Sequence, residues 1–319
     1  MGGNGERGIV LIMVMWVLTV LMVVVLSFSY MLRTEAHATL SFKEGMEQKF
    51  LAEAGIERGI VEILYRKSGS IAQEEKDATA WKIDGTVYTA EMKEGSFRVR
   101  ILNESGKVDI NSAHELLIRG LIAALGTQGE ELDTVVDSLM DWKDNDNLHR
   151  LYGAEDEYYL SLPGPYKAKN ANFESLEEMM LVKGVTPDLL YGNGDRKGLL
   201  QFITLNSGSS AININAAPRE VLLAVPGMTA EMADAVLEYR ASKEIKSVQE
   251  IKDLLGEQYN AMSPYLNTGE GNAYTVEAEG LKEGRKAGHA VKAVVVLEGD
   301  TYKFIYYKNP EEIRQWHVQ

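Results

Sequence analysis

The chain of 319 residues contains no cysteine, which excludes disulfides, thiol catalysis and thiolate metal sites. If it is exported, its folded part must be held by a hydrophobic core, with hard metal ions as a further means of stabilisation. Basic residues are outnumbered, since 33 lysines and arginines face 47 acidic residues and the formal net charge is −14. That balance disfavours nucleic acid and favours divalent cations or basic partners.

Recognisable catalytic motifs are also missing. The histidines are His37, His114, His149, His289 and His317. None of them lies in a zinc motif, and the chain has neither a nucleophile elbow nor a phosphate-binding loop. The glycine-rich run 192–195 follows a helical pattern, which predicts a loop. We therefore expect that the protein is not an enzyme.

The longest segment without charge extends from Ile9 to Tyr30 and has 22 residues, enough for a helix of about 33 Å that crosses a bilayer. It is preceded by eight residues and is not followed by a small-residue cleavage site, unlike an ordinary secretory signal. A plain signal anchor with Arg7 on the cytoplasmic side is the simplest interpretation. We expect one transmembrane helix, residues 9–32, in contact with inner-membrane lipid.

The helix is predicted to continue beyond the membrane, because residues 33–67 contain no proline and repeat apolar side chains at helical spacing. The predicted apolar stripe consists of Phe42, Met46, Phe50, Ile56, Ile60, and Ile63 or Leu64. Charged residues occupy the other faces. This pattern predicts an amphipathic helix that packs on a domain along one side.

Alternating hydrophobicity predicts strands at both ends of the remaining chain. Two strands, 86–92 and 96–102, follow a polar loop at 68–80. Three more are predicted near the C-terminus, at 274–278, 289–297 and 302–307, with hairpin turns at 93–95 and 298–300. The middle has helical periodicity. We therefore predict an α+β fold in which a sheet-bearing unit, residues 33–108 and 271–319, is interrupted by an inserted all-α domain, residues 109–270.

Two segments of the predicted insert resemble each other. KVDINSAHELLIRGLIAALG begins at Lys107, and AININAAPREVLLAVPGMTAEMADAVLEYR begins at Ala211. Asn111 and Asn215 hold the same place in each and are candidate N-cap or turn residues. The likeness predicts a weak internal duplication of helix-turn-helix units.

The second segment resembles a helix-hairpin-helix module, which serves either as structure or for binding DNA phosphates. Thr229 replaces the second glycine of the DNA-binding hairpin. Residues 213–253 carry five basic and seven acidic side chains, a local charge of −2. We expect a structural role and no nucleic-acid partner, with DNA binding as the alternative.

Acidic residues are most crowded in the stretch SLMDWKDNDNLHRLYGAEDEYY, which begins at Ser138. Crowded carboxylates repel one another unless they are solvated or share a cation. Calcium takes six to eight oxygen ligands from flexible loops of this composition. The spacing does not match an EF-hand, so a solvated acidic loop and a calcium site are both open. His149 is expected on the surface.

The N-terminal stretch RGIVLIMVMWVL resembles the start of type IV pilin-like proteins. That resemblance implies cleavage by prepilin peptidase between Gly8 and Ile9, which makes residues 1–8 a leader. Major subunits of that family carry a glutamate at the fifth mature position, where this chain has Met13. The departure is typical of the K-type minor pseudopilin of the type II secretion system, whose place is at the filament tip.

Other segments resemble the same K-type family, namely LAEAGIERGI and the pattern D-W-x-D-x-D followed by G-A-E-D-x-Y-Y. The resemblance implies a pilin-like sheet, an insert with a structural role, and bound calcium. The candidate ligands are Asp141, Asp144, Asp146, Glu155 and Asp156.

The family's function would be to nucleate the pseudopilus at its tip and support export across the outer membrane. Its partners would be the I-, J- and H-type minor pseudopilins, and its large C-terminal part would lie in the periplasm. The alternatives are a membrane-anchored helix-hairpin-helix DNA receptor and a minor pilin of a type IV pilus.

Overall fold

The structure, a computed structural model, describes residues 4–68, 81–283 and 287–311. Its helices are α1 (Asn4–Lys67), α2 (Glu115–Ala124), α3 (Gly129–Lys143), α4 (Asp156–Leu160), α5 (Pro187–Tyr191), α6 (Arg219–Ala224), α7 (Ala230–Ser242), α8 (Val248–Leu255) and α9 (Tyr259–Met262). Its strands are β1 (Asp84–Met92), β2 (Gly95–Asn103), β3 (Val108–Asp109), β4 (Gly192–Asn193), β5 (Arg196–Lys197), β6 (Ile203–Thr204), β7 (Ile212–Asn213), β8 (Leu266–Asn267), β9 (Ala273–Leu281), β10 (His289–Glu298) and β11 (Thr301–Lys308). The predicted polar loop lies, after Ser68, outside the described residues.

Helix α1 is 64 residues long. Its N-terminal part is exposed and has a mean hydropathy of 3.2, so it is long and apolar enough to cross a membrane. Its C-terminal part packs on the sheet through Ile56, Ile60 and Ile63, each 1% exposed. One continuous helix therefore joins the apolar segment to the folded unit.

Part of the predicted stripe on α1 is wrong. Phe42 and Phe50 are 72% and 59% exposed and do not contribute to the core. The step from Phe50 to Ile56 is six residues, a rotation of about 240° around the helix, so the two side chains lie on different faces. The buried face is instead continued toward the N-terminus by Leu51 and Ala52.

A single antiparallel sheet has the strand order β1-β2-β9-β10-β11, and its five strands confirm the five predicted from alternation. Strands β2 and β9, far apart in sequence, are neighbours at its centre, with Asn103 opposite Tyr274. The chain therefore leaves the sheet and returns to it at adjacent positions. This explains how a large insert is accommodated without breaking the sheet.

The side chain of Asn103 stabilises the junction at which the chain leaves the sheet for the insert and returns from it. Its Nδ2 donates to the Gly271 carbonyl at 3.0 Å, and its Oδ1 accepts from the N–H groups of Ser105 at 3.0 Å and Gly271 at 3.2 Å. Beside it the buried Glu104 accepts hydrogen bonds from Lys107 Nζ and Thr275 Oγ1, both at 2.6 Å. The outgoing and returning chains are thus bonded to each other by polar groups removed from water.

The insert and the sheet have separate hydrophobic cores. One joins α1 to the sheet, and the other lies within the insert, from Val108 to Leu266. The insert is mainly helical and also contains three two-stranded ladders, β3-β6, β4-β5 and β7-β8. Each of these strands has two residues, too few to produce an alternating pattern in the sequence.

Hydrogen bonds confirm the predicted duplication. Asn111 donates to the Phe173 carbonyl at 3.0 Å and accepts from its N–H at 2.9 Å. Asn215 makes the same pair of bonds with Ile245, at 2.8 and 2.9 Å. Both asparagines are therefore turn residues that bridge to a distant backbone, and neither caps a helix.

Candidate metal centre and family

The predicted acidic loop begins where α3 ends. Asp141 lies in the last turn of that helix, Asp144 is its C-cap, and Glu155 is the N-cap of the short helix α4. The intervening loop folds back so that one carboxylate oxygen from each of these residues lies within 4.8 Å of the others. Two carboxylates from the end of α3 and one from the start of α4 thus converge beside the negative end of the α3 dipole, an arrangement that favours a cation.

Close approach of the loop depends on Gly153. A Cβ atom at this position would overlap Asp141 Oδ2. The Asp141 carboxylate is fully buried and accepts from the Arg150 N–H at 3.0 Å. The Arg150 guanidinium lies 3.5 Å from Asp141 and also pairs with Glu115 at 2.7 Å, so the cluster has only partial compensation from this cation.

Glu155 is the least compensated member of the cluster. The residue is 4% exposed, and neither of its carboxylate oxygens has a hydrogen-bond partner among the described residues. Burial, together with the negative charges of Asp141, Asp144, Asp146 and Asp156, raises the pKa of Glu155 to about 7. Burial also raises the pKa of Asp141. A buried carboxylate with such neighbours calls for a proton or a cation.

Two of the five predicted ligands lie outside the group of three. Asp146 is exposed and accepts from the Leu148 N–H at 2.8 Å. Asp156 accepts from the Ala168 N–H at 3.0 Å and pairs with Lys167 at 3.1 Å. His149 is exposed, as expected.

Asn170 was missed by sequence reasoning. Its Nδ2 donates to the Asp146 carbonyl at 3.0 Å, while its Oδ1 is buried without a partner among the described residues. Its backbone is left-handed, with φ of 49°, a conformation that asparagine tolerates better than most residues. Asn170 follows the acidic run by more than a dozen residues, so no local spacing pointed to it.

The duplication explains where the acidic loop comes from. In the second repeat, Ile245 follows the end of α7 by three residues. In the first repeat, the equivalent Phe173 follows the end of α3 by thirty. The acidic loop is therefore an insertion within the first repeat. Its two ends are held together by the Asn111–Phe173 bonds. Lys143 Nζ, which donates to the Ile110 carbonyl at 2.9 Å, adds a further bond there.

These residues fit a hard divalent cation. Calcium takes carboxylate and carbonyl oxygens at about 2.3–2.6 Å, so oxygens on the same ion are separated by distances like those within the cluster. The unpartnered oxygens of Glu155 and Asn170 are acceptors of this type.

Comparisons with known proteins point to one family. Two family models, both described as type II secretion system protein K, match residues 95–191 and 212–268. The type II secretion system protein K of Pseudomonas aeruginosa is 28% identical over 73% of this chain and 73% of its own length. That of Pectobacterium carotovorum is 30% identical over 39% of this chain and 38% of its own.

A solved structure gives the same result for the fold. In the GspK-GspI-GspJ complex from the enterotoxigenic Escherichia coli Type 2 Secretion System, a chain matches with a TM-score of 0.59 and 16% identity. The match covers 86% of this chain and all of that one. The chain belongs to the type II secretion system protein K family.

Membership of the protein K family makes the chain a minor pseudopilin of a secretion system, a structural component of no known enzyme family. The family matches include both the acidic loop and the second repeat. They do not favour the two alternatives, a DNA receptor and a type IV pilus subunit.

The helix-hairpin-helix segment of this protein K chain is tied into its own fold. Thr229 accepts from the Met232 N–H at 3.3 Å and caps α7. Arg219, at the start of α6, makes two bonds to Asp234 of α7, at 2.6 and 3.0 Å. The Arg219 guanidinium, a basic group near the hairpin, is therefore paired with a carboxylate of the same chain.

The N-terminal positions predicted from the pilin resemblance lie in α1. The bond between Gly8 and Ile9 falls within the described helix. Met13 is 65% exposed, with apolar side chains before and after it. Cleavage at Gly8 and the tip-determining role of Met13 stay predictions.

Proposed function

We propose that this protein K chain occupies the tip of the pseudopilus, where it helps to nucleate assembly with the I-, J- and H-type minor pseudopilins and supports export across the outer membrane. The observation that carries the proposal is the position of the insert. It leaves the sheet between the neighbouring strands β2 and β9, on a unit that α1 anchors. A bulky unit fixed there would obstruct a subunit stacked above.

The insert is also bonded to the end of α1 and to the segment before β1. Arg66, in the last turn of α1, pairs with Glu244 at 2.8 Å and Glu270 at 3.1 Å. Lys82 Nζ donates to the Ala241 carbonyl at 2.6 Å. These contacts oppose a hinge motion that would move the insert out of the way.

Met13 supports a place at the tip. A glutamate at this position in an ordinary subunit pairs with the N-terminal amine of a neighbour. An apolar Met13 offers no such charge, and a subunit at the tip needs none. The exposed side chains of Leu40, Phe42 and Phe50 provide a surface for lateral packing against other subunits' helices.

A mixing experiment tests the proposal. The chain from residue 33 onward is combined with the I- and J-type proteins of the same secretion system and analysed by size-exclusion chromatography with light scattering. A stable complex that includes all three is expected. Failure of the chain to join either partner, while the partners join each other, would overturn the assignment.

We also propose that Asp141, Asp144 and Glu155 hold calcium, with Asn170 Oδ1 as a further oxygen ligand. The support is the convergence of three carboxylates and the unpartnered buried oxygens. Calcium at 100 times its Kd would stabilise the folded chain by about 2.7 kcal/mol.

Calorimetric titration with a parallel melting curve tests this site. Calcium is expected to bind and raise Tm, and the double variant Asp144→Ala, Glu155→Ala is expected to lose both effects. The matched control is Glu157→Ala, an exposed carboxylate of the adjoining helix α4. Absence of binding at millimolar calcium would remove the metal proposal and leave the pseudopilin assignment intact.

Processing and orientation complete the proposal. Prepilin peptidase would cut between Gly8 and Ile9, and the part that follows the membrane helix would lie in the periplasm. Mass spectrometry of the protein from cells that contain the peptidase is expected to show Ile9 as the first residue. Protease added to spheroplasts is expected to degrade the large C-terminal part; protection of that part would contradict the orientation.

A further inference from the structure

The outermost strand β11 carries a row of aromatic rings on the face that α1 covers elsewhere. Tyr302 and Phe304 have ring centroids 5.4 Å apart, and Phe304 and Tyr307 are 5.6 Å apart, both edge to face. These three residues lie opposite Leu297, Val295 and Ala293 of β10, which belong to the core beneath α1.

Cross-strand partners share a face of the sheet, so the aromatic row lies on the α1 side. Strand β11 extends past the helix, and Phe304 and Tyr307 remain 39% and 45% exposed. An L-shaped corner is left between the side of α1 and the overhanging strand.

The helix side of this corner is acidic. Tyr302 Oη donates to Glu57 Oε2 at 3.4 Å, and Asn309 Nδ2 donates to Glu53 Oε1 at 3.2 Å. Glu53 pairs with Lys49 Nζ at 3.7 Å. Glu57 is exposed, and no cation pairs with it among the residues that the structure describes. Burial and the charges of Glu53 and Glu57 raise the pKa of Tyr307, which is consistent with a negative potential over the rings. Phe50 and Val61, one helical turn beyond these carboxylates on the same side of the helix, are 59% and 52% exposed.

The opposite edge of the sheet shows how the protein fills the equivalent corner there. Trp81 stacks on Tyr88 of β1 with centroids 4.4 Å apart. Arg58 of α1 lies over the Trp81 ring at 5.2 Å. On that side the chain supplies its own cation to its own aromatic rings.

We propose that the corner formed by Glu53 and Glu57 of α1 and by Tyr302, Phe304 and Tyr307 of β11 docks an arginine or lysine side chain of an adjacent pseudopilus subunit. A guanidinium or ammonium over the rings gains a cation–π interaction and meets the Glu57 carboxylate, which has no cation partner among the described residues. The apolar stem of the same side chain covers exposed ring edges. Charge complementarity therefore selects a basic partner surface, in accord with the acidic balance of the whole chain. This inference rests on the proposed assembly role.

The test uses the full-length chain in detergent with the I- and J-type proteins of its own secretion system, and measures the Kd of the complex. The variants are Glu57→Lys, which places a like charge in the corner, and Tyr307→Ala. The matched control is Tyr306→Ala, because Tyr306 is 41% exposed on the same strand and lies opposite Val294, on the other face of the sheet. We expect Glu57→Lys to weaken the complex at least tenfold, Tyr307→Ala about fivefold, and Tyr306→Ala less than twofold. The loss caused by Glu57→Lys should shrink at high salt.

A crosslinking measurement identifies the occupant. The variant Phe304→p-benzoylphenylalanine is irradiated in the assembled complex, and the crosslinked peptides are mapped by mass spectrometry. A crosslink to a partner segment that contains arginine or lysine is expected. A crosslink to residues 312–319 of the same chain, which include Arg314, would assign the corner to the protein's own C-terminus and overturn the proposal.

The two proposals fail in different ways. If the wild-type chain does not join the partners at all, the assembly role fails. If it joins them, and Glu57→Lys and Tyr307→Ala bind as tightly as the Tyr306→Ala control, only the docking corner is refuted.

Discussion

The Glu155 carboxylate brings two oxygens into the interior of the insert without a partner among the described residues. In the absence of metal, the folded chain can relieve this cost only by holding a proton. The pKa of about 7 in the folded chain compares with an ordinary value of about 4.3 in the unfolded chain. The folded state therefore holds a proton, between these two pH values, that the unfolded state has lost.

The stability of the metal-free chain should consequently fall as pH rises from about 4.3 to about 7. Calcium must displace the same proton, so its affinity should rise over that range. Melting curves in chelator and in calcium, from pH 5 to pH 8, measure both effects. Glu155→Gln should remove this component of the pH dependence in chelator, whereas Glu157→Gln should not. Equal pH dependence in both variants would contradict the prediction.

Gly153 is a second residue on which the cluster depends. Gly153→Ala would force a methyl group into the Asp141 carboxylate and should destabilise the chain by about 1–3 kcal/mol, with calcium affinity reduced at least tenfold. Gly164→Ala is the matched control, because a Cβ there meets nothing within 4 Å and should change stability by less than about 0.5 kcal/mol. Denaturant unfolding and calcium titration of both variants check this. Similar behaviour of the two variants would show that Gly153 is not required.

The sequence predicted the acidic loop but not the separate positions within it. Composition left a solvated loop and a calcium site both open, and the family resemblance supplied the candidate ligands, of which Asp141, Asp144 and Glu155 converge. Asp146 is instead exposed, and Asp156 pairs with Lys167. Both placements depend on loop geometry that spacing does not reveal. Asn170 reaches the loop through a left-handed backbone and a tertiary contact, neither of which leaves a periodic signal.

At the scale of elements, the five strands of the sheet could be predicted because each has eight to ten residues with one face toward α1. The face of α1 was harder, because apolar residues occur on two sides of this helix. One side packs on the sheet, and the other presents Phe42 and Phe50 to the exterior. Periodicity alone does not distinguish a core face from an exposed apolar face.

The glycines of α1 distinguish the face that packs on the sheet from the exposed face. A Cβ at Gly55 would lie 2.8 Å from Ala278 Cβ, and one at Gly59 would lie 2.7 Å from Val276 Cγ1, so both glycines permit close packing on β9. Gly45 has nothing within 4 Å. Gly55→Ala and Gly59→Ala should each destabilise the folded chain by about 1–3 kcal/mol. Gly45→Ala should stabilise the helix by about 0.5–1 kcal/mol, as judged by denaturant unfolding. A stabilising effect of Gly59→Ala would mean that α1 lies farther from the sheet.

At the scale of the whole molecule, the order of parts along the chain carried the prediction of fold. Strands at both ends, with a helical middle, led to one sheet interrupted by an insert, and β2 and β9 are indeed neighbours. The polar junction of Asn103, Glu104 and Lys107 could not be foreseen, because its partners Gly271 and Thr275 lie about 170 residues away in sequence. A long-range contact of this kind is created by the topology, not by a local pattern.

Two separate cores and adjacent ends of the insert predict that the sheet unit folds without it. In a variant with residues 104–272 replaced by a short glycine-serine linker, the core residues of α1 and of the sheet are all retained. The cost is limited to the junction and to ion pairs such as Arg66–Glu270, whose charged groups become solvated instead of buried and unpaired. We expect a cooperative thermal transition and circular dichroism of mixed helix and strand from this variant, with no response of Tm to calcium, whereas the full chain responds. An unfolded variant would show that the insert is an obligatory part of the sheet's stability, and a retained calcium response would remove the metal site from the acidic loop.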